Sequence, residues 1–251
     1  MKDLLYRLTV AVGAFLVWRL ERLIAWGSRV GNPAFFRHEQ FAWVAAVDAQ
    51  WRRIREELEV VLRRREDLPN FQDISRGQVG LTNDDRWKTF FFYAYGFQAP
   101  QICVRCPETT RILAQIPGMK TAFFSILSPG KHIPRHRGPY KGVIRYHLGL
   151  IVPEPKERCR IQVGDEIRHW EEGRSLIFDD TYPHQVWNDT DGLRAVLFVD
   201  FVRPLRFPAN VLNGIILKLI AWSPFVQDGI ANYKRWEATF DRMGAEPPRA
   251  P

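Results

Sequence analysis

Short apolar runs separated by turn residues fill the chain from about residue 120 to residue 204. Glycine, proline, asparagine and aspartate recur between these runs, and the sequence shows no internal repeat. Strands of this length and spacing predict an all-β barrel or a double-sheet jelly roll, and they argue against a sheet built from βαβ units. The predicted strands lie in the stretches KTAFFSILSPG, VIRYHLGLIVP, CRIQVGDE, HWEEGRSLIFDD, HQVWNDTDG and LRAVLFVDFVRP.

The part of the chain before this β region shows mostly helical periodicity. Apolar residues recur at helical spacing over residues 41–61, and the polar run RRREDLPN ends the segment at Pro69, so one long amphipathic helix is predicted. Residues 70–100 contain polar turns and an aromatic strand, WKTFFFYAYG. A short helix is predicted for residues 108–115, ahead of a Pro-Gly turn.

The amino terminus carries an uncharged apolar core from Leu8 to Trp18, eleven residues long. As a helix this core measures about 17 Å, well short of the roughly 30 Å hydrocarbon thickness of a bilayer. A spanning helix is therefore disfavoured, and so is a cleaved secretory signal, since the run ends in RLER and not at a small-residue site. Two alternatives remain. We favour a helix in the membrane interface, with Arg7 and Arg19 reaching its surface, over a helix packed on the globular domain.

A second apolar helix is predicted after the β region, in the stretch VLNGIILKLIAW. One helical face carries Leu212, Ile215, Ile216 and Leu219, while Lys218 lies elsewhere on the helix. Basic residues also stand just before this segment. The helix is again either interfacial or packed on the core.

Composition limits the class of protein. The 251 residues, with 46% hydrophobic side chains, suffice for one compact domain with peripheral helices. The net charge of +8 favours anionic partners such as phospholipid surfaces, nucleic acid or acidic small molecules. Three cysteines are too few for a disulfide framework and favour a reducing compartment. Cys103 and Cys106 form a C-x-x-C pair, but a zinc site needs two further ligands, so we interpret them as ordinary thiols near a helix start.

Two histidines stand at the predicted rim of the barrel, where binding sites often form. His136 lies between Pro134 and Gly138, and His184 follows the stretch DDTYP. Arg194 comes ten residues after His184, at the start of an apolar strand. A hairpin would return it to the side of the strand that bears His184, where its guanidinium could bind a carboxylate. The alternative is an exposed turn residue, and spacing alone does not decide between the two.

Three longer segments carry a family resemblance. HIPRHRGPYKGVIRYHLGLIVP, WEEGRSLIFDDTYPHQVWNDTD and RAVLFVDFVRP resemble the aspartyl/asparaginyl β-hydroxylases, a family of iron(II)- and 2-oxoglutarate-dependent dioxygenases, from about residue 75 to residue 205. The resemblance implies a mainly β fold with a double-stranded β-helix core, of jelly-roll or cupin type, and flanking amino- and carboxyl-terminal α-helices. It also accounts for Gly138, because this family lacks the iron-binding carboxylate that other two-histidine oxygenases carry at that position.

The resemblance implies which residues hold the cofactors. His136 and His184 match the two iron ligands. Ser125 and Arg194 match the positions that bind the distal carboxylate of 2-oxoglutarate, and His147 matches a histidine beside this cosubstrate. Fe(II), 2-oxoglutarate and O2 are therefore the implied cofactor, cosubstrate and oxidant.

The substrate is less well defined, because relatives of this kind hydroxylate either peptide Asp and Asn residues or acyl chains of lipid A and ornithine lipids. Arg145 resembles an arginine that faces the substrate, and strand alternation puts it on the same face as His147. The peptide branch commonly has a further basic residue two positions earlier, where this chain has Val143. Together with two basic amphipathic segments, this predicts 2-hydroxylation of a membrane lipid acyl chain. The alternative is β-hydroxylation of Asp or Asn in peptides, or of an amino-acid-like metabolite.

We therefore expect a cytoplasmic protein held at the inner face of the membrane, with a lipid, peptide or small-molecule substrate. Nucleic acid is not an expected partner, because the aromatic runs have the pattern of core strands. Four regions are predicted: a membrane-contact helix at 1–30, a helical and aromatic-strand region at 31–116, the catalytic core at 117–205, and an amphipathic helix with a tail at 206–251.

Overall fold

The structure, a computed structural model, describes residues 19–75 and 80–245. Its strands are β1 (Phe35–Phe36), β2 (Trp87–Ala94), β3 (Phe97–Gln98), β4 (Met119–Leu127), β5 (Lys131–His136), β6 (Val143–Ile151), β7 (Cys159–Val163), β8 (Glu166–His169), β9 (Ser175–Phe178), β10 (His184–Asn188) and β11 (Arg194–Val202). They form a seven-stranded sheet in the order β1-β9-β6-β11-β4-β2-β3 and a four-stranded sheet in the order β5-β10-β7-β8. Neighbouring strands in both sheets run antiparallel.

The two sheets enclose an apolar core between them. Leu127 and Val196 of the large sheet belong to one cluster with Ile133, Ile161 and Val186 of the small sheet. Helices cover the other face of the large sheet, and β11 is accordingly buried at eight of its nine positions. Two antiparallel sheets packed in this way form a jelly roll. The predicted mainly β fold with a double-stranded β-helix core is therefore confirmed.

The helices are α1 (residues 19–27), α2 (Val44–Asp48), α3 (Trp51–Leu62), α4 (Phe71–Ile74), α5 (Pro100–Arg105), α6 (Pro107–Leu113), α7 (Ala209–Trp222) and α8 (Pro224–Ala245). The long helix predicted at 41–61 is divided into α2 and α3 by a break at residues 49–50. The short helix predicted at 108–115 is α6. A further helix, α5, was not predicted, although proline at its first position is a common start signal.

The carboxyl-terminal region contains two helices where the sequence predicted one helix and a tail. The predicted helix is α7, and α8 follows it with 22 residues. Val226, Tyr233 and Phe240 are buried at seven-residue spacing on one face of α8. The Tyr233 hydroxyl accepts a hydrogen bond from the Phe91 amide at 3.0 Å and donates one to the Phe91 carbonyl at 2.9 Å. These bonds fix α8 to the outer side of β2.

The predicted amino-terminal membrane-contact helix falls mostly on residues 1–18, which lie outside the described residues. Its last part is α1, where Ile24 packs with Leu205 and Leu217 in a small apolar cluster. No single helix among residues 19–75 and 80–245 is long and apolar enough to cross a bilayer. Two consecutive helical stretches, Ala209–Trp222 and Pro224–Phe240, together have the length and apolar composition of a membrane span, with a bend of 51° between them.

Candidate active site

His136 and His184 lie side by side on neighbouring strands of the small sheet. His136 ends β5, His184 begins β10, and the two are paired in the antiparallel register. Their ring centroids are 4.1 Å apart. The register shifts between the His136–His184 pair and the next pair, Ile133–Val186. Pro134 lies at this shift and has no amide hydrogen to donate to the neighbouring strand. The structure therefore brings together the two histidines that the sequence singled out.

The hydrogen bonds of both rings fix their tautomers. His136 Nδ1 donates to the Pro134 carbonyl at 2.8 Å, and His184 Nδ1 donates to the Tyr182 carbonyl at 2.9 Å, since a carbonyl oxygen can only accept. Each Nε2 atom therefore keeps its lone pair. Burial lowers the pKa of His136 below its usual value, and burial together with the neighbouring His136 ring lowers the pKa of His184 to about 3. Both imidazoles are neutral at neutral pH, which is the form that binds a metal ion.

Gly138 stands two residues after His136, next to Asp180. A Cβ atom there would lie 2.0 Å from Oδ2 of Asp180, so no side chain fits at residue 138 while Asp180 keeps its place. The Gly138 amide also donates to the Asp180 carbonyl at 2.7 Å. Within the described residues, no group of three His, Cys, Asp or Glu side chains could hold a metal ion. The two imidazoles fit a ferrous ion whose remaining positions are filled by a chelating ligand.

Arg194 is a buried residue, with 1% of its surface exposed, and the alternative of an exposed turn residue is wrong. Its Nη1 lies 3.5 Å from Ser125 Oγ on the adjacent strand, and its guanidinium stacks over Trp170 with 4.6 Å to the ring centroid. Burial lowers the pKa of Arg194 to about 10. Its Nε atom has no hydrogen-bond partner among the described residues. A buried guanidinium without a carboxylate is costly, so this position fits an anionic ligand.

Further unpaired polar atoms belong to the buried rings beside Arg194. Both ring nitrogens of His147 and the indole nitrogen of Trp170 also have no partner in the described part of the chain. The His147 ring packs 4.8 Å from Phe198 and 5.0 Å from Phe178, and burial, followed by the charge of Arg194, holds its pKa well below the usual value. Buried polar atoms are nearly always hydrogen-bonded in native proteins. These groups, with Ser125 close by, fit the carboxylate and keto oxygens of 2-oxoglutarate.

Arg145 is already paired with two carboxylates. Its guanidinium lies 2.9 Å from Asp180 and 2.9 Å from Asp200, and it stacks on Phe198. Burial opposes its charge, but the two carboxylates outweigh this effect and raise its pKa. Burial raises the pKa of Asp180 to about 6 against the opposing charge of Arg145. Sequence reasoning placed Arg145 at the substrate but missed both partners, which are distant from it along the chain.

An apolar cavity of about 180 Å³ adjoins this cluster. Arg145, Asp180 and Phe198 belong to its wall, and the charge of Arg145 also acts on His136 and His184. Helix α8 supplies much of the opposite lining, with Phe225, Val226, Gly229, Ile230 and Tyr233. Sequence reasoning missed this wall, although residues 226, 230 and 233 recur at the three- to four-residue spacing of a buried helix face. The cavity can hold an apolar group of a ligand.

A family model for aspartyl/asparaginyl beta-hydroxylases matches residues 48–204. This chain belongs to that family. The family resemblance expected from the sequence motifs is therefore confirmed, and the matched region contains the histidine pair, Ser125, Arg145, His147 and Arg194.

Individual relatives of this hydroxylase differ in how much of the chain they share. The ornithine lipid ester-linked acyl 2-hydroxylase of Rhizobium tropici is 46% identical over 87% of this chain and 80% of its own length. The human aspartyl/asparaginyl beta-hydroxylase is 32% identical over 66% of this chain, which spans 22% of the human protein. A cupin domain of a transcriptional regulator from Enterobacter cloacae covers 48% of this chain and 99% of its own, with 18% identity and a TM-score of 0.31. The fold assignment thus rests on the strand order and not on this similarity.

Proposed function

We propose that this chain is an Fe(II)- and 2-oxoglutarate-dependent dioxygenase that hydroxylates carbon 2 of an acyl chain in a membrane lipid of the ornithine-lipid or lipid A type. The observation that carries the proposal is that Arg145 lies close enough to His136 and His184 to lower the pKa of both and also lines an apolar cavity. The printed activity of the Rhizobium tropici relative supports the ester-linked acyl chain as the substrate.

The residues of the site have separate tasks in this proposal. The Nε2 atoms of His136 and His184 bind the ferrous ion, and their Nδ1–H bonds to backbone carbonyls keep both rings oriented. Arg194 and Ser125 bind the distal carboxylate of 2-oxoglutarate, which satisfies the buried guanidinium. Iron and 2-oxoglutarate, when bound, supply the oxidising chemistry that inserts one oxygen atom of O2 into a C–H bond and leaves succinate and CO2. The aromatic walls exclude water from the reacting carbon.

The charges around the cavity favour an acyl chain over an aspartate side chain. Arg145 is the only cationic side chain among the described residues that line the cavity, and Asp180 and Asp200 both pair with it. A substrate carboxylate would therefore meet a guanidinium that is already neutralised, beside two acidic groups. An uncharged acyl chain has no charge to desolvate or repel here, and the burial of its methylene groups stabilises its binding.

The test is turnover by the purified chain supplied with Fe(II), 2-oxoglutarate and O2. With an ornithine lipid dispersed in detergent, we expect succinate and a lipid that is heavier by one oxygen atom. The variants His136→Ala and His184→Ala should lose both products. His132→Ala is the matched control, because this histidine also lies on β5 but is exposed and stacks on Trp187.

A peptide that contains Asp and Asn is the comparison substrate in the same assay. Turnover of the peptide with no change in the lipid would contradict the proposal and favour the second activity of the family.

For cells, we propose a cytoplasmic location at the inner membrane surface. This location agrees with a chain of only three cysteines, none of them in a disulfide among the described residues, and with a lipid substrate. Fractionation that leaves the protein away from membranes would contradict it, and lipid mass spectrometry with and without the gene tests the substrate.

A further inference from the structure

The outward face of α7 carries a stripe of large apolar residues, although the opposite face already packs on the protein. Ala209, Asn213 and Leu217 are buried, and the Asn213 side chain bonds to the Tyr140 hydroxyl at 2.8 Å and to the Gly142 carbonyl at 2.9 Å. The exposed stripe on the opposite side consists of Val211, Ile215, Leu219 and Trp222. A surface helix of a soluble protein normally turns its polar side outward. In α7 the outward side is apolar as well as the packed side.

The apolar surface continues onto the neighbouring segments. Trp26 at the end of α1, Phe207 just before α7 and Phe225 at the start of α8 are each more than half exposed. Helix α1 is tied to the start of α7, because the Arg206 amide donates to the Gly27 carbonyl at 2.8 Å and a Cβ at Gly27 would lie 2.6 Å from the Ala209 Cβ. Contiguous exposed apolar patches mark sites of interaction with a partner or a membrane. We call the seven residues Trp26, Phe207, Val211, Ile215, Leu219, Trp222 and Phe225 the α7 surface.

The exposed charges on α1, on α7 and on the segment just before α7 are all positive, while Asp228 near Phe225 on α8 is exposed and acidic. In residues 19–29 and 203–222 the exposed charged side chains are Arg19, Arg22, Arg29, Arg206 and Lys218. The one acidic residue in these segments, Glu21, is mostly buried and pairs with Arg137 at 3.0 Å. Apolar side chains bordered by cations match a bilayer that contains anionic lipids, in which the side chains enter the acyl region and the cations meet the headgroups.

The α7 surface is continuous with the apolar cavity of the active site. Phe225 is half exposed and also lines the cavity, three positions beyond the end of α7. Tyr140 and Val143 line the cavity too, and they pack with Leu217 on the inner face of α7. The cavity wall and the α7 surface therefore share Phe225, at the corner between α7 and α8.

We infer that the α7 surface docks this protein on an anionic lipid bilayer, so that an acyl chain passes from the bilayer beside Phe225 into the cavity. This inference rests on the proposed lipid hydroxylase function for its second half, while the docking itself can be measured without turnover. Continuity with the cavity favours a bilayer over a second copy of the chain, since a protein partner would close the entrance to the substrate.

The first experiment places an environment-sensitive fluorophore on the α7 surface. The three native cysteines are buried, so the variant Leu219→Cys can be labelled selectively. Val60→Cys is the matched control, because Val60 on α3 and Leu219 are both 58% exposed. With vesicles of phosphatidylglycerol and phosphatidylethanolamine, the fluorophore at residue 219 should brighten at least about twofold and shift to the blue, as expected for entry into the acyl region. The fluorophore at residue 60 should not change.

The fluorophore reports membrane contact at residue 219 itself, so this experiment tests the docking inference independently of residues 1–18. A fluorophore at residue 219 that stays in water when vesicles are added overturns it, and so does an equal response at residue 60. Sedimentation of the unlabelled protein identifies the competing occupant. A stable dimer that Leu219→Glu converts to a monomer, without vesicle contact at residue 219, would assign the α7 surface to a second copy of the chain.

The second experiment separates docking from chemistry. The double variant Ile215→Glu/Leu219→Glu should lose about tenfold or more in turnover of an ornithine lipid carried in vesicles, yet retain wild-type turnover when the lipid is dispersed in detergent. The double variant Val60→Glu/Ile167→Glu replaces exposed apolar residues elsewhere and makes the same change in charge. Equal turnover by both double variants in vesicles would overturn the inference. Absence of lipid turnover by the wild type in either form would refute the proposed function instead.

Discussion

Replacing Arg194 by methionine should stabilise the ligand-free protein and abolish its use of 2-oxoglutarate. The guanidinium is buried, lacks a carboxylate partner among the described residues, and has a pKa lowered to about 10. A shift of this size corresponds to about 3 kcal/mol of unfavourable free energy in the folded state at neutral pH. Since methionine fills a similar length without a charge, the free energy of unfolding should rise by up to about 3 kcal/mol.

Arg203 provides the matched control for this substitution. It is equally buried, with 1% of its surface exposed, but its Nη2 binds Asp179 at 2.6 Å and its Nε donates to the Lys141 carbonyl at 2.7 Å. Arg203→Met leaves the buried Asp179 carboxylate with fewer partners, so it should lower the free energy of unfolding by about 3–5 kcal/mol. The same chemical change should therefore have opposite signs at the two positions.

Urea denaturation of the ligand-free proteins measures both values, and a thermal shift assay measures the response to 2-oxoglutarate. Addition of 2-oxoglutarate should raise the Tm of the wild type and leave the Tm of Arg194→Met unchanged, because the ligand stabilises only a folded state that binds it. The reasoning is refuted if Arg194→Met is less stable than the wild type by about 1 kcal/mol or more, or if its Tm still rises with 2-oxoglutarate.

Three further predictions concern the cavity, the buried histidine and the glycine beside the histidine pair. Gly229→Leu should fill the cavity and lower turnover of long-chain lipids about tenfold while sparing short-chain ones, and Gly214→Leu, whose side chain meets open space on α7, should leave detergent-phase turnover unchanged. Burial holds the pKa of His147 below its value in the unfolded chain, so the free energy of unfolding falls as the pH drops through about 6.5. His147→Leu should reduce this pH dependence by up to about 1.4 kcal/mol per pH unit, as measured by urea denaturation between about pH 7.5 and pH 5. Gly138→Asp should not add a useful iron ligand, because its Cβ would lie 2.0 Å from Asp180, and we expect a lower Tm with turnover reduced at least about tenfold. Wild-type chain-length preference in Gly229→Leu, an unchanged pH slope, or higher turnover by Gly138→Asp would each contradict the corresponding prediction.

The β strands could be predicted because a strand leaves a local pattern in the sequence. β4, β6 and β11 are nine-residue strands rich in apolar residues and bounded by turn residues, as burial on both faces requires. Helix α8 was missed because its apolar face is narrow and interrupted by charged residues, and only Tyr233 and its periodic neighbours indicate it. The break between α2 and α3 has no proline or glycine to mark it.

The candidate site likewise has parts that the sequence could predict and parts that it could not. The two histidines lie in distinctive motifs, so the sequence could single them out, and the burial of Arg194 was one of two alternatives that spacing left open. The partners of Arg145 could not be predicted, because pairing with Asp180 and Asp200 depends on which strands lie next to β6 in the sheet. The cavity was equally hidden, since it exists only where α8 packs across the sheet and no local pattern describes a space between elements.

The hydrogen bonds between Tyr233 and Phe91 have a consequence for how this chain avoids aggregation. On the side of β2 away from β4, the neighbouring strand β3 reaches only Tyr93 and Ala94. The Tyr233 hydroxyl thus forms hydrogen bonds with the amide and carbonyl of Phe91, which could otherwise pair with a strand of another molecule. Phe91 belongs to β2, the most aromatic strand of the sheet. A chain shortened before α8 would offer this edge to other copies, and we expect it to precipitate by intermolecular strand pairing before any loss of catalysis could be measured.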